Sequence, residues 1–179
     1  MNIPDFIVHY NRSEPFRSIS EVSQGNLRAV LNQLDENNSW GLNRFADPAY
    51  LSQRLKVEQK VRSEFIVKGG VPELEFPIYF FLGNNVRFEE HKKNVGYKIK
   101  LGELPTNVVS FTYGDSMFSM CDNYRHKLDD EYQSRLCSQV YRLDELNDLF
   151  SATNGMSKSL HIECQLWIKP APNLVRRVD

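Results

Sequence analysis

One carboxylate stands inside an apolar, strand-like run near the C-terminus of this chain. The run covers residues 160–168, and the carboxylate is Glu163. A strand residue between apolar neighbours usually lies on a covered face or at the wall of a cleft, where an ionised group is costly unless it is paired. Glu163 therefore needs a partner or a chemical function, although the local pattern also fits a solvent-facing Glu163 with Ile162 and Cys164 turned inward.

Two arginines on one predicted helix are candidates for binding an anion. Asp47 followed by Pro48 is typical of a helix start, with Asp as the N-cap and Pro in the first turn, and apolar residues keep helical phase as far as Phe65. Arg54 and Arg62 both lie on this helix. An arginine on a helix is usually a partner in a surface salt bridge, so either residue needs further support as a ligand-binding group.

The elements around these residues predict an α+β fold. Apolar runs and alternating patterns indicate strands, whereas apolar residues at helical spacing and N-cap residues indicate helices. Strands and helices mix without strict alternation, which favours α+β. The predicted strands are residues 6–10, 76–82, 95–101, 108–112 and the run around Glu163; the predicted helices are residues 26–34, 47–65 and 115–127, followed by a polar helical stretch at 128–150.

The length and net charge of the chain limit the number of domains and the kinds of partner that it can attract. A chain of 179 residues with 41% apolar residues fits one globular domain, residues 1–179, that is able to bury a core. The net charge of −1 gives no overall attraction to nucleic acid, so any polyanion contact depends on local cations, which are ordinarily solvated surface groups. These local cations are Lys92, Lys93, Lys98, Lys100, residues 125–127, Arg176 and Arg177.

Cysteine usage and the absence of long apolar runs indicate the compartment. Cys121, Cys137 and Cys164 are odd in number and widely spaced, which predicts reduced thiols. His161 and Cys164 without a second pair are weak support for a metal, so we expect none. The N-terminus lacks a basic segment followed by an apolar one, and no apolar run approaches membrane length. We therefore expect a soluble, cytoplasmic protein with no membrane contact.

Several segments, taken in their order along the chain, resemble the DarT family. DarT enzymes are ADP-ribosyltransferases that modify nucleic-acid bases, usually as the toxin of a toxin–antitoxin pair. The resemblance spans residues 26–172 and implies an ADP-ribosyltransferase-like fold, with central antiparallel or mixed sheets flanked by helices. The segments are residues 26–31 (NLRAVL), 45–54 (FADPAYLSQR), Gly69-Gly70 before 76–80 (FPIYF), 109–116 (VSFTYGDS), and Ile162-Glu163 before Leu166-Trp167.

The resemblance implies that NAD is the co-substrate, and it assigns catalytic roles to Arg54 and Glu163. Arg54 would position NAD, because a planar guanidinium binds a pyrophosphate bidentately. Loss of nicotinamide leaves an oxocarbenium-like ribose, and Glu163 would stabilise that charge and take the proton from the attacking base nitrogen. Arg62 remains a rival to Arg54 because it stands nearer to Gly69-Gly70.

Four further residues are implied as cofactor contacts. His9 resembles the family's early histidine at the nicotinamide-side ribose, and Asn26 resembles an asparagine near the nicotinamide amide. Asn11 stands where the family commonly has Thr, and Tyr79 matches an aromatic residue of a family strand. By themselves, a histidine that ends an apolar strand and a tyrosine in an aromatic run are more often core residues.

The resemblance also implies an acceptor and a protein partner. It favours a base of single-stranded DNA, because an unstacked base is the cheaper substrate, and a cognate antitoxin. A substrate-recognition loop is expected at residues 151–159, and Tyr113, Phe118 and Trp167 are aromatics that could stack a base. Tyr113 replaces an Asp of the family, and residues 84–87 replace a proline-bearing segment. These departures leave open two alternatives, RNA as the acceptor and a non-catalytic binding protein on the same scaffold.

Overall fold

A computed structural model describes most of the chain, and a seven-stranded antiparallel sheet forms its centre. The strand order is β5-β4-β6-β2-β1-β3-β7. The described residues are 3–11, 15–22, 26, 29–30, 44–45, 47–85, 89, 95–121, 134–153 and 161–178. The strands are β1 (Phe6–Asn11), β2 (Ile78–Leu82), β3 (Val95–Lys100), β4 (Val109–Tyr113), β5 (Tyr141–Arg142), β6 (Ile162–Leu166) and β7 (Arg176–Val178), and the α-helices are α1 (Pro48–Val67), α2 (Ser116–Met120) and α3 (Leu146–Ala152).

The mixture of one antiparallel sheet with few helices confirms the predicted α+β class. Alternate residues of the central strands point to two different layers, as the two-residue period of a strand requires. On one face the side chains of Ile78, Phe111 and Leu166 belong to a large apolar core. On the other face Trp167 packs with α1 and α2, and its ring stacks on Phe65 with centroids 6.2 Å apart. The finer expectation, an ADP-ribosyltransferase-like fold, remains a prediction.

The predicted start of α1 is confirmed by its cap. The Asp47 side chain accepts a hydrogen bond of 2.9 Å from the Ala49 amide, and Pro48 occupies the first turn, where its missing N–H is not needed. The helix ends before Gly69, whose φ of +88° suits glycine. At Gly70 an added Cβ would overlap the ring of Phe65. This double glycine therefore lets the chain leave α1 tightly against its own last buried turn.

Two sequence predictions of helix are wrong in part. The stretch predicted as helical at 128–150 contains β5, because Tyr141 is buried and pairs with Phe111 of β4. The helix in this stretch begins only at Leu146. It follows a capping arrangement in which the Arg142 amide donates to the Glu145 carboxylate at 2.8 Å. The helix after Asp115 ends at Met120 instead of continuing toward residue 127. Of the predicted helix 26–34, the described residues 26, 29 and 30 are helical, and the rest lies outside the described residues.

The sheet is narrowly joined between β1 and β2. β1 pairs with β3 at six positions, but its pairing with β2 is limited to Ile7↔Leu82 and Val8↔Phe81. Beyond these pairs the imidazole Nδ1 of His9 lies 2.7 Å from the carbonyl oxygen of Tyr79. A side chain therefore replaces the backbone ladder where the two strands separate. Within the described part of the chain, no helix is long and apolar enough to span a membrane.

Candidate active site

Three of the predicted site residues meet between α1 and one face of the sheet. Tyr79 pairs with Gln165 across β2 and β6, and Glu163 pairs with Phe81 on one side and Thr112 on the other. Directly opposed residues of antiparallel strands point to the same face. Tyr79 and Glu163 therefore project toward α1, and Arg54 approaches them from that helix.

Arg54 is held by a buried carboxylate on its own helix. Its Nε donates to Glu58 Oε1 at 2.9 Å, and the side chains of Arg54 and Glu58 are 12% and 0% exposed. The hydroxyl of Tyr79 donates to the same oxygen at 3.0 Å. The guanidinium carbon also lies 4.5 Å from the ring centroid of Tyr79 and 5.3 Å from that of Phe45. This ion pair uses Nε, so both terminal nitrogens of Arg54 remain outside it.

Charge and burial fix the protonation of Arg54 and Tyr79. Burial alone would lower the pKa of Arg54, but Tyr79, Glu58 and Glu163 together raise it. Burial raises the pKa of Tyr79 well above its usual range, and Glu58 and Glu163 add to this against the opposing effect of Arg54. Arg54 is therefore a permanent cation, and Tyr79 is a neutral hydrogen-bond donor. The second oxygen of Glu58, Oε2, is buried without a hydrogen-bond partner among the described residues.

Glu163 is held by donors from two directions. Its Oε1 accepts the backbone N–H of Ser116, at the start of α2, at 3.1 Å. It also accepts Gln165 Nε2 at 3.1 Å, a residue two positions along the same strand face. Both bonds fix one carboxyl oxygen. The carboxyl group is therefore oriented by the fold before any ligand is present.

The pKa of Glu163 is raised to about 8. Burial is the largest cause, and the nearby charge of Asp115 also raises it; the Ser116 hydrogen bonds and the charge of Arg54 act in the opposite direction. A carboxyl group with such a pKa is mostly neutral at pH 7 and becomes an anion when positive charge is added beside it. Perturbed groups of this kind concentrate at functional sites.

A chain of buried side chains leads to Glu163 from the interior. Trp167 Nε1 donates to Ser110 Oγ (2.9 Å), and Ser110 Oγ donates to Gln165 Oε1 (3.0 Å). The amide nitrogen of Gln165 then donates to Glu163 and, at 2.9 Å, to Thr112 Oγ1. Ser110, Thr112, Gln165 and Trp167 are all 0% exposed. Because the Trp167 indole can only donate, the chain has one direction and sets which end of the Gln165 amide faces Glu163.

Sequence reasoning missed Glu58 and Gln165. The four-residue interval from Arg54 to Glu58 signals a helical ion pair, yet such pairs are common on surfaces, and the burial that makes this one notable is set by the sheet. The alternation Glu163, Gln165, Trp167 indicates a shared strand face. No sequence signal showed that this face would be covered by α1.

The other predicted cofactor contacts lie elsewhere. His9 has the same strand parity as Ile7, on the face opposite to Glu163, and its ring lies 5.4 Å from Phe16 and 5.3 Å from Phe80. Its Nε2 accepts the Phe16 N–H at 3.4 Å, so Nδ1 carries the proton that is donated to Tyr79; burial lowers its pKa. Asn11 Nδ2 lies 3.4 Å from His9 Nε2. His9 and Asn11 thus form a separate pair at the β1–β2 separation.

In the described structure, the remaining candidates lie apart from the cluster of Arg54, Tyr79 and Glu163. They are Arg62, Asn26 and two of the aromatic residues. Arg62 donates to the carbonyl oxygens of Leu74 (3.3 Å) and Pro72 (3.2 Å), so it ties down the segment after α1. Asn26 is helical and exposed. Tyr113 and Trp167 are fully buried, so neither can stack a base in this conformation.

The expected recognition loop and the residues considered for a metal site lie only partly within the described structure. Residues 151 and 152 of the expected recognition loop belong to α3, residue 153 forms a turn, and residues 154–159 lie outside the described part. Within the described part, no group of three or more His, Cys, Asp or Glu residues is arranged to hold a metal ion. His161 contacts the ring of Phe81 at 4.9 Å, whereas Cys164 points into the apolar core.

The arrangement combines a permanent cation, a neutral phenol and a carboxyl group that ionises near pH 8. Arg54 can bind an anionic group, and Glu163 can stabilise a cation or accept a proton. Comparison with known proteins adds no relative: no family model matches the chain, and no curated protein or solved structure matches it significantly. The resemblance to DarT enzymes therefore stays a prediction.

Proposed function

We propose that this protein is an NAD-dependent mono-ADP-ribosyltransferase that modifies a nucleic-acid base, with single-stranded DNA as the favoured acceptor. The observation that supports this most is the placement of Arg54 beside Glu163, between α1 and the sheet, close enough for each charge to act on the pKa of the other. Arg54 and Glu163 lie close together although they are 109 positions apart in the sequence (163 − 54). They are also the two residues that the resemblance assigned to catalysis.

Arg54 has the properties needed to hold the pyrophosphate of NAD. Glu58 and the rings of Tyr79 and Phe45 restrict the guanidinium, so little side-chain freedom is lost on binding. The terminal nitrogens outside the Glu58 pair form the fork that suits phosphate oxygens. Loss of this interaction weakens NAD binding and leaves the carboxyl group of Glu163 in place.

Glu163 has the properties needed at the reacting ribose. Its carboxyl group is mostly neutral at pH 7 without further charge beside it, because its pKa is about 8. A bound nicotinamide ring carries positive charge, and the ribose becomes cationic as nicotinamide leaves. Both charges favour the carboxylate, which stabilises the ribose cation and then takes the proton of the attacking base nitrogen.

The test incubates the purified protein with NAD labelled in its ADP-ribose part and with separate pools of single-stranded DNA, RNA and protein. We expect label on DNA and release of nicotinamide. Label on RNA alone moves the acceptor to RNA. Absence of label from every pool, together with no hydrolysis of NAD, rejects an enzyme.

The assignment of the NAD-binding arginine is tested by a matched pair on one helix. Arg54→Ala should raise the Kd for NAD about tenfold or more, the effect of removing a charged hydrogen-bonding group. Arg62→Ala makes the same substitution on the same helix. It removes only the hydrogen bonds that Arg62 donates to the carbonyl oxygens of Leu74 and Pro72. An Arg62→Ala effect as large as that of Arg54→Ala would contradict the assignment.

A non-catalytic binding protein is the second candidate, and the raised pKa of Glu163 favours it. A carboxyl group that stays neutral in the complex could donate a hydrogen bond to a ligand, but could not stabilise a cation. The two functions differ in their dependence on pH. Transfer should increase as Glu163 ionises toward pH 8, whereas binding by a neutral carboxyl group should weaken over the same range.

A further inference from the structure

A row of side chains in register crosses the sheet from Glu163 to the opposite edge. Opposed residues of antiparallel strands share a face, and each member of the row is the registered partner of the next. Between strands the spacing is about 4.8 Å, so Lys98 lies about 14 Å and Arg176 about 19 Å from Glu163. The cross-sheet row consists of Thr112, Glu163, Phe81, Val8, Lys98 and Arg176.

The far end of the row is cationic. Lys98 and Lys100 share a face because they are two residues apart on β3, and Arg176 of β7 stands opposite Lys98. Lys98 Nζ lies 3.8 Å from the centroid of the Phe6 ring, and Arg176 Nη2 lies 3.2 Å from Glu103 Oε1. The Arg176 side chain is 56% exposed. Three cations thus meet one exposed carboxylate at this edge.

The middle of the row is aromatic. Phe81 is half-buried, and its ring lies 6.0 Å from Tyr10 and 4.9 Å from His161. Tyr10 donates to Glu89 Oε1 at 3.3 Å, which places a second carboxylate beside this part of the row. Val8, between Phe81 and Lys98, is buried. The order from the carboxyl group to the edge is therefore acid, aromatic, apolar, cation.

We infer that the cross-sheet row binds a single-stranded nucleic acid, with its phosphates on Lys98, Lys100 and Arg176 and a base beside Phe81 on the way to Glu163. A cluster of cations matches the charge of a phosphate backbone, and the half-buried ring of Phe81 offers an aromatic contact for any base. This inference rests on the proposed function, since it supplies the acceptor of that same site. A membrane surface fits less well, because one apolar side chain between aromatics and cations is too little to insert.

Binding is measured without NAD, by the fluorescence anisotropy of a short labelled single-stranded DNA of mixed sequence. The double variant Lys98→Glu with Arg176→Glu should raise the Kd at least about tenfold. The dependence of log K on log salt concentration should become shallower by about 0.7 for each phosphate that the variant no longer neutralises.

Arg177→Glu is the matched control. Arg177 is the next residue of β7, is exposed, and opposes Tyr97 on the other face of the sheet. The same change of charge at the same edge should therefore alter the Kd less than about twofold if the row, and not the general charge of the edge, binds the strand. Equal losses of affinity in Arg176→Glu and Arg177→Glu single variants would overturn the inference.

Glu103→Gln tests the same surface in the opposite direction. It removes the carboxylate that competes for Arg176, so binding should tighten a few-fold, an outcome that misfolding does not produce. Unchanged binding in both Glu103→Gln and the double variant, or equal binding of poly-glutamate, would reject a nucleic-acid surface. NAD hydrolysis is followed separately: a protein that binds DNA through the row without consuming NAD refutes the proposed function and leaves the row in place.

Discussion

One face of the central strands is fully buried and the other is partly buried, and the two faces differ in chemistry. On β6, Ile162, Cys164 and Leu166 enter an apolar core at 0% exposure, whereas Glu163 and Gln165 enter the layer beneath α1. The apolar face gains stability from burial in the ordinary way, at about 25 cal/mol per Å². The polar face has to satisfy each group with a hydrogen bond to avoid a loss of stability.

This difference marks the residues whose types are not required to fill a core. Leucines in place of Ser110, Thr112 and Gln165 could fill a core, yet the chain builds a directed hydrogen-bond chain that ends on one carboxyl group. Hydrogen-bonded chains orient side chains in a way that apolar packing does not. The polar face therefore carries the candidate site and the apolar face supports it, and substitutions on the two faces should separate activity from stability.

The largest effect is expected from Glu163→Gln. Transfer of ADP-ribose should fall about 10³-fold, the usual consequence of removing a group that stabilises charge in a transition state. Stability at pH 8 should not fall, because a neutral amide of the same shape avoids burying a charge. Initial rates with labelled NAD and a thermal melt check both parts. Near-normal transfer by Glu163→Gln would remove Glu163 from catalysis.

On the apolar face, Leu166→Ala should destabilise the fold by about 3 kcal/mol, from reduced burial and the cavity left behind. Activity per folded molecule should be unchanged below the melting transition. Urea unfolding and active-site-normalised rates provide the comparison. A large loss of turnover in folded Leu166→Ala would show that the two faces are not separable.

Gln165→Leu tests the difference between the two faces, because it places an apolar side chain on the polar face. It leaves Ser110 Oγ without its acceptor and Glu163 without one donor, so stability should fall by about 2 kcal/mol. The pKa of Glu163 should rise further, because the variant removes a hydrogen bond to its charged form. The pH dependence of the transfer rate should move to higher pH; a profile that stays in place would remove Gln165 from the positioning of Glu163.

Taken per pH unit, the smallest effect is the dependence of stability on pH. The pKa of Glu163 is about 8 in the fold against its ordinary 4.5, so the native state binds the proton more tightly. The stability from this group is complete below pH 4.5, decreases as pH rises toward 8, and then levels off, with a slope of at most about 1.4 kcal/mol per pH unit. Urea unfolding between pH 5 and 9 should show the decrease in the native protein and a flatter curve in Glu163→Gln.

Local chemistry made part of this structure predictable. The Asp47–Pro48 start of α1, the strand around Glu163 and the strand that begins at Phe6 follow from capping and periodicity, which act over a few residues. The short strands β5 and β7 were missed because Tyr141–Arg142 and Arg176–Val178 are strands only through their partners. Residues such as Arg176 carry no strand pattern of their own.

The candidate site was predictable in its residues more than in its surroundings. The resemblance to DarT enzymes pointed to Arg54 and Glu163, with Arg62 as a rival for Arg54, and in the structure Arg54 and Glu163 lie close to Tyr79. Glu58 was missed because its significance depends on complete burial, a property of tertiary packing. His9 was expected in the same site, but strand parity directs its ring to the other face.

The narrow junction between β1 and β2 divides the sheet into two plates, β5-β4-β6-β2 and β1-β3-β7. Separating the plates breaks two residue pairs, the 2.9 Å hydrogen bond from the Gly83 N–H to the Phe6 carbonyl and the imidazole bond from His9, whereas separating β2 from β6 breaks four pairs. Slow opening of the native protein should therefore follow this seam first, and amide hydrogens there should exchange sooner than those of β6. Glu163 belongs to one plate and Lys98 to the other, so the angle between the plates sets how far apart they stand.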